Sequence, residues 1–127
     1  MNEKQLQLVN FEQANRLDRS GFDWECDRAY HLATHEAEYV QLRNYNSHTG
    51  KLLAISAPTV ACALKWCRDV KFITYEIEVC RVGTYTCRYV NTRDEFVNAN
   101  GGKVYNNYEA AESALLDELL NLIEKEK

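Results

Sequence analysis

Apolar residues recur at spacings of three and four in three parts of the chain, which is the period of an amphipathic α-helix. The expected helices lie at residues 10–20, 57–70 and from residue 106 or 107 onward. The last of them carries the broadest apolar stripe, formed by Ala111, Leu115, Leu116, Leu119, Leu120, Leu122 and Ile123. Because burial of these leucines stabilises the fold, the main role that we predict for this helix is a structural one.

Residues that start and stop helices stand at the ends of these segments. Asn10 and Gln13 have the spacing of a capping box, and Gly21 followed by Phe22 predicts a left-handed helix end. Ser56 is the expected cap of the second helix, two residues before the only proline of the chain. The final helix has a pair of asparagines at its start, either of which is a competent cap.

Alternating apolar and polar residues predict strands in other segments. The main strands are expected at 23–32, 39–45, 72–80 and 84–90, with shorter extended stretches at 51–55 and 104–105 and loops at 44–50 and 91–107. A turn containing Gly83 joins the last two main strands into a hairpin. The alternation also predicts which side chains face the core, including Cys26, Tyr30, Val40, Leu42, Ile73, Tyr75, Ile77 and Val79.

The order of these elements is α-ββ-α-ββ-α, which predicts an α+β protein. Alternation on both sides of a tight turn indicates antiparallel strands that pack on one face only. A length of 127 residues suits one domain and is enough to bury a core without disulfides or metal. We therefore expect a single α+β domain over residues 1–127, with one antiparallel sheet of four or five strands and helices packed largely on one face.

The net charge of −4 comes from the C-terminal end of the chain alone. Residues 108–127 hold six acids and two bases, whereas the remaining 107 residues hold 13 of each. A body without net charge does not attract the phosphate groups of a nucleic acid, and an acidic final helix repels them. No nucleic acid is therefore expected as a partner. The simpler interpretation of the acids is a solvated helix face. The alternative is a docking surface for a basic partner, formed by Glu112, Asp117, Glu118 and Glu124.

The five cysteines indicate a reducing compartment. Their number is odd, no Cys-x-x-Cys pair occurs, and the N-terminal residues lack the apolar core of a signal peptide. No apolar run approaches the ~20 residues of a membrane span. The sequence therefore predicts a cytoplasmic protein that does not bind membranes, with most of its thiols packed as small hydrophobic groups.

A metal site is the first chemical hypothesis. One face of the first predicted strand carries Asp23, Glu25, Asp27 and His31, and His35 follows at helical spacing. Carboxylates and imidazoles are ligands of divalent ions, but neighbours on a strand face are ~7 Å apart and splay rather than converge. A solvated polar face is the better interpretation, and no metal or cofactor is expected.

A nucleophilic cysteine is the second hypothesis. Cys26 lies among acids, which raise the pKa of a thiol, whereas Cys67 and Cys87 each precede an arginine. Both of the latter lie on the apolar side of their elements, and no histidine is near them in the sequence. Packing in the core is the better interpretation.

Nucleic-acid binding is the third hypothesis, drawn from the tyrosines and arginines around the last main strand. The residues concerned are Tyr85, Arg88, Tyr89 and Arg93. Both tyrosines belong to the face assigned to the core, and Arg88 stands opposite a strand with two glutamates. Cross-strand charge pairing is therefore the better interpretation.

Three sets of residues resemble a known group of proteins. They are Phe11-Glu12-x-Ala14 with Gly21-Phe22, Ser56-Ala57-Pro58-Thr59 leading to Leu64-Lys65-Trp66-x-Arg68, and Asn107-Tyr108-Glu109-x-Ala111-Glu112-x-Ala114-Leu115. In this order they are similar to small uncharacterised proteins encoded by gut Bacteroides-type bacteria and by their phages and mobile elements. The resemblance implies a small α+β cytosolic protein of phage or prophage origin, and it implies no catalytic or binding residue.

Motifs of common enzyme classes do not occur in the sequence. There is no phosphate-binding loop, dinucleotide fingerprint, Ser-His-Asp signature or zinc-ligand spacing. We therefore expect a non-enzymatic accessory protein that acts through contacts with another protein. A homodimer through the acidic final helix or an open sheet edge is an alternative. The rival hypothesis is a small-ligand or enzymatic module with a pocket between sheet and helices.

Overall fold

The computed structural model describes residues 7–46, 54–91 and 93–125. Its helices are α1 (Phe11–Arg19), α2 (Val60–Asp69) and α3 (Tyr108–Lys125), with a 3₁₀ turn at Ala99–Gly102. Its strands are β1 (Cys26–His31), β2 (Ala37–Arg43), β3 (Ala54–Ser56), β4 (Tyr75–Arg81), β5 (Thr84–Val90) and β6 (Phe96–Asn98). The predicted α+β class is confirmed. Parts of the predicted loop at 44–50 and stretch at 51–55, residues 47–53, lie outside the described residues.

The strands form two antiparallel sheets of three strands each, rather than the single sheet of four or five strands that we expected. β1 lies between β2 and β3 in the first sheet, and β5 lies between β4 and β6 in the second. The chain divides into two compact units, Met1–Ala63 and Leu64–Lys127. The single domain over residues 1–127 stays a prediction.

Helix α1 begins and ends as its sequence predicts. Asn10 Oδ1 accepts a hydrogen bond from the Gln13 amide at 2.7 Å, and Gln13 Oε1 accepts one from the Asn10 amide at 2.9 Å, which completes the capping box. At the other end Gly21 has φ 97°, and the Phe22 amide donates to Leu17 O at 3.0 Å. The buried Phe22 side chain completes this Schellman end.

The pairing of β1 with β2 is irregular. Cys26 pairs with Arg43 and Arg28 pairs with Tyr39, so the bulge adds its extra residues to β2. The buried residues of β1 are Cys26 and Ala29 rather than an alternating set. Tyr30, predicted to face the core, is half-buried. β2 lies at the edge of its sheet, and Leu42 is 60% exposed. The assignment of Leu42 to the core is therefore wrong, because strict alternation does not hold across a bulge.

A buried polar network joins β3 to the residues that follow β2. The Tyr45 amide donates to Ser56 Oγ at 2.8 Å, and the Ser56 amide donates to Asn46 Oδ1 at 3.0 Å. Asn46 Nδ2 in turn donates to Phe22 O at 2.9 Å. A buried polar group without a partner costs ~1–3 kcal/mol, which makes these bonds necessary. Ser56 therefore holds this network, and its predicted role as a helix cap is wrong.

Helix α2 begins at Val60, three residues later than predicted, because Thr59 is its cap. Thr59 Oγ1 accepts a hydrogen bond from the Cys62 amide at 3.0 Å. The apolar side chains of the helix are buried as predicted up to its last turn. Val70 follows the end of the helix at Asp69 and is 42% exposed, which corrects its assignment to the core.

β4 and β5 form the predicted hairpin, whose turn contains Gly83 with φ 82°. β5 occupies its predicted range, and Cys87 on its inward face is buried. β4 begins at Tyr75 instead of residue 72. Val79 was predicted to face the core but is 67% exposed. The first three residues of β4 are half-buried, and the strand is exposed from Glu78 onward, ahead of the bulge between Val79 and Arg81.

Helix α3 begins after Asn107, whose Oδ1 accepts a hydrogen bond from the Ala110 amide at 2.7 Å. Its buried residues match the predicted stripe, except that Leu122 is half-buried: Ala111, Leu115, Leu116, Leu119, Leu120 and Ile123. The helix packs on β5, where Cys87 Sγ lies 3.3 Å from Ala111 O. The loop predicted before α3 contains β6 and the 3₁₀ turn.

Replacing Gly21 tests the left-handed end of α1. An added Cβ would meet no atom within 4 Å, so the expected loss comes from the backbone conformation alone. We expect Gly21→Ala to lower the free energy of unfolding in urea by about 1–2 kcal/mol. Gly21→Asn should lose less, because asparagine tolerates the left-handed region. Equal losses in the two variants would contradict this account of the helix end.

Candidate functional site

Two of the four acids predicted as a docking surface line a cavity on α3. Glu118 and Glu124 border a space of about 280 Å³, together with Tyr89 of β5 and the α3 residues Asn121, Leu122 and Lys125. The two carboxylates and one ammonium give this lining a net charge of −1. Small-ligand pockets commonly have ~300–1,000 Å³, so the cavity suits a single side chain better than a cofactor.

Glu118 also has a structural role. Its Oε1 accepts a hydrogen bond from the Asn100 amide at 2.9 Å, which ties the 3₁₀ turn to α3. Its Oε2 lies 3.4 Å from Asn121 Nδ2, which donates to it. Burial, with a smaller contribution from the Glu118 carboxylate, raises the pKa of Tyr89. The Tyr89 phenol is therefore neutral at pH 7 and available as a hydrogen-bond donor in the cavity.

The other two acids lie elsewhere on α3. At about 100° per residue, Glu112 and Asp117 are separated by about 140° around the helix axis. Burial and the neighbouring Glu109 raise the pKa of Glu112, whose side chain is half-buried. By the same rule Asp117 and Glu124 are only about 20° apart, so Glu112 is the acid that is separated from the other three. Docking of a basic partner across all four stays a prediction.

The residues considered as metal ligands do not converge. Three exposed carboxylates surround the start of β1 and two histidines flank the turn after it: Asp23, Glu25, Asp27, His31 and His35. His31 Nδ1 accepts a hydrogen bond from the Ala33 amide at 3.1 Å, and the His35 ring stacks on Phe11 with 3.8 Å between centroids. Within residues 7–46, 54–91 and 93–125, no group of three or more His, Cys, Asp or Glu is placed to hold a metal ion.

Three of the five thiols are buried and resist ionisation. Burial raises the pKa of Cys26 to about 12, with a further contribution from the nearby Cys62. Burial also raises the pKa of Cys67 to about 12 and the pKa of Cys87 to about 11. The predicted core packing of these cysteines is confirmed. Cys80 is exposed and Cys62 is half-buried.

The residues considered for nucleic-acid binding are mostly engaged within the second sheet. Arg88 forms ion pairs with Glu76 and with Glu78, whose Oε1 lies 3.3 Å from Arg88 Nε. This confirms the predicted cross-strand charge pairing. Tyr85 packs edge-to-face on a tyrosine of α3, and Arg93 is exposed before β6.

Phe72 combines an exposed aromatic side chain with a left-handed backbone. It is 85% exposed, and its φ is 58°. This conformation costs a residue with a Cβ ~1–2 kcal/mol, and an aromatic ring left in water does not offset it by burial. The chain needs the conformation where it leaves α2, because the Ile73 amide returns to Cys67 O at 3.1 Å. Glycine would meet that need without the steric cost.

A second cavity lies beside Phe72. Its volume is about 210 Å³, and it is surrounded by the segment between α2 and β4, the end of β5, the loop after it and α3, among them Phe72, Ile73, Thr74, Val90, Asp94 and Leu122. Asp94 is a second residue with a left-handed backbone, at φ 61°. Leu122 also lines the cavity at Glu118 and Glu124, so the two cavities are neighbours on one surface.

The sequence patterns missed Phe72 because alternation placed it inside a strand. A signal was nevertheless present at the end of α2. Helices commonly stop at a glycine or asparagine with a left-handed backbone, and neither residue follows Asp69 before the next strand. A helix that must stop without them forces another residue into that conformation.

Comparison with known proteins identifies no relative from which a function could be inferred. The chain matches no protein-family model, no curated protein and no solved structure. The resemblance to proteins of gut bacteria and their phages therefore stays a prediction. In the described part of the chain, none of the helices has both the length and the apolar composition of a membrane span.

The burial of three thiols predicts an order of alkylation. Iodoacetamide at about pH 8 should modify Cys80 in the folded protein, whereas Cys26, Cys67 and Cys87 should react only after unfolding in urea. Peptide mass spectrometry after timed quenching measures each site. Cys80→Ser is the matched control and should remove the fast reaction at that site. Fast modification of Cys67 in the folded protein would contradict the assignment.

The same burial predicts that the fold weakens in alkaline solution. Unfolded thiols lose their protons above the ordinary pKa of 9.0, whereas the pKa of folded Cys26 and Cys67 is about 12. Their stabilising contribution is complete below pH 9 and declines as pH rises towards 12, by up to about 1.4 kcal/mol per pH unit for each thiol. Urea unfolding across this range should show the decline. Cys67→Ala should make it shallower, and an unchanged slope would argue against the explanation.

Proposed function

We propose that this chain is a non-enzymatic accessory protein that acts in the cytoplasm by binding another protein. The observation that carries the proposal is Phe72, an exposed aromatic ring on a left-handed backbone beside a cavity. Aromatic anchors next to pockets are typical of the hot spots of protein interfaces. Folding alone favours glycine or asparagine at this position, so a contact with a partner is what explains phenylalanine.

The neighbouring cavity on α3 supports a partner that presents a basic side chain. Glu118 and Glu124 attract a cation, and the Tyr89 ring lies in the same lining. These two acids are the part of the predicted docking surface that shares one cavity. The proposed interface therefore joins an apolar anchor at Phe72 to an acidic cavity beside it.

The rival hypothesis of an enzyme or small-ligand module has less support. The cavity beside Phe72 is smaller than the ~300 Å³ at which small-ligand pockets begin, and the cavity on α3 is close to that lower limit. The groups whose pKa is most strongly raised are buried thiols, which are poor nucleophiles when protonated. An origin in a phage or mobile element is also part of the proposal, and it rests on the sequence resemblance alone.

Phe72→Asn tests the proposal. Asparagine tolerates a left-handed backbone, so the variant should unfold in urea at an equal or higher free energy, by up to about 1 kcal/mol. The immobilised protein should capture a specific partner from a lysate of the cells that encode it, and Phe72→Asn should lose that partner. Val82→Asn is the matched control, because Val82 is fully exposed at the β4–β5 turn and its replacement should leave capture intact.

Two outcomes would refute the proposal. If Phe72→Asn destabilises the fold, the phenylalanine has a structural role and needs no partner. If the same proteins are captured with and without the Phe72 ring, they bind at another surface.

A further inference from the structure

β4 is an edge strand with an open hydrogen-bonding side. It lies at the end of the order β4-β5-β6, and no other strand among the described residues pairs with its outer edge. The Val90 amide donates to Thr74 O at 2.9 Å, which fixes the alternation of backbone groups along β4. The amides and carbonyls that point away from β5 are therefore those of Tyr75, Ile77 and Val79.

The side chains of this edge are sorted by face. The apolar face consists of Tyr75, Ile77 and Val79, and the acidic face carries Glu76 and Glu78. The side chains of Glu76 and Glu78 are 39% and 48% exposed. Both pair with the single Arg88, so the three together keep a net charge of −1. β4 also lacks the lysine and proline residues that commonly protect edge strands from pairing.

We propose that β4 binds an extended segment of a partner protein in which basic and apolar residues alternate. The backbone of that segment pairs with the outward groups of Tyr75, Ile77 and Val79, in the manner of strand addition to a sheet edge. Its basic side chains lie opposite Glu76 and Glu78, at positions where side chains across neighbouring strands come closest. Its apolar side chains cover the opposite face, where Val79 is exposed.

A second copy of this chain fits the edge poorly. Two antiparallel β4 strands in the register of fullest overlap, centred on Glu78, place two Glu78 side chains directly opposite each other. The register centred on Ile77 places Glu76 opposite Glu78 instead. Like charges in opposite positions disfavour pairing, so the glutamates select against self-association and for a basic strand.

The binding test uses the full-length protein and a synthetic peptide of alternating lysine and valine, matched to the seven residues of β4. One control peptide alternates glutamate and valine, and a second contains the lysines and valines in two blocks. Fluorescence anisotropy at low ionic strength should show binding of the alternating lysine peptide about tenfold tighter than either control. Hydrogen exchange at the Ile77 and Val79 amides should slow when that peptide is bound.

Val79→Pro separates edge pairing from general charge attraction. Because the Val79 amide points outward, proline removes a donor from the open edge and leaves the β4–β5 hydrogen bonds in place. We expect about tenfold weaker binding of the lysine peptide. Val79→Ala keeps the amide and should bind within about threefold of the original protein.

Glu78→Lys keeps the test informative if Val79→Pro does not fold. Glu78 is exposed, and its replacement leaves the backbone of β4 unchanged. The variant should bind the glutamate peptide more tightly than the lysine peptide, which reverses the preference of the original protein.

Three results would overturn the proposal. The first is binding of the lysine peptide that neither Val79→Pro nor Glu78→Lys changes, and the second is equal binding of the block peptide. The third is protection of the Ile77 amide that rises with protein concentration in the absence of peptide, since the edge would then belong to a second copy. Phe72→Asn should bind the peptide normally, so this proposal and the one based on Phe72 fail separately.

Discussion

The packing of α3 on β5 is the contact on which the second unit depends. β5 is the central strand of its sheet, and its buried Cys87 lies against the α3 backbone at Ala111. The apolar stripe of α3 covers this central strand, so β4 loses cover along its length and ends exposed at Val79. The chain must also turn sharply between α2 and β4 to enter this sheet, and Phe72 lies at that turn. The two surfaces with proposed partners therefore follow from one packing arrangement.

Features set by neighbours in the sequence were predictable, and features set by distant partners were not. The α1 capping box and the turn at Gly21 involve residues within about one or two helical turns, so local chemistry determined them. Leu42 was misassigned because it lies in the bulge of β2, where alternation does not hold. Val79 was misassigned because alternation shows that two faces of a strand differ, without showing whether anything covers either face. Likewise, alternation identifies strands but not the sheet to which each belongs, which is why two sheets were taken for one.

The residues of the candidate site also divide into those whose role local sequence patterns predict and those whose role depends on distant partners. Burial of Cys67 and the pairing of Arg88 with Glu76 follow from helix and strand periods, and both were predicted. Glu112 and Asp117 were assigned to one docking surface, although 3.6 residues per turn already place them on different sides of α3. Ser56 was different: its role depends on Asn46, ten residues away in the chain, and no local rule connects the two.

Asn46 shows how the durability of a fold can depend on one chemical group. Both ends of its buried amide are used, since Nδ2 donates to Phe22 O and Oδ1 accepts from the Ser56 amide. Deamidation to aspartate would replace the donor by an oxygen that faces the Phe22 carbonyl, and it would place a negative charge at a buried position. Deamidation of an exposed residue such as Asn98 changes only the charge of the surface. The time for which the first unit stays folded therefore depends on how slowly the Asn46 side-chain amide is hydrolysed.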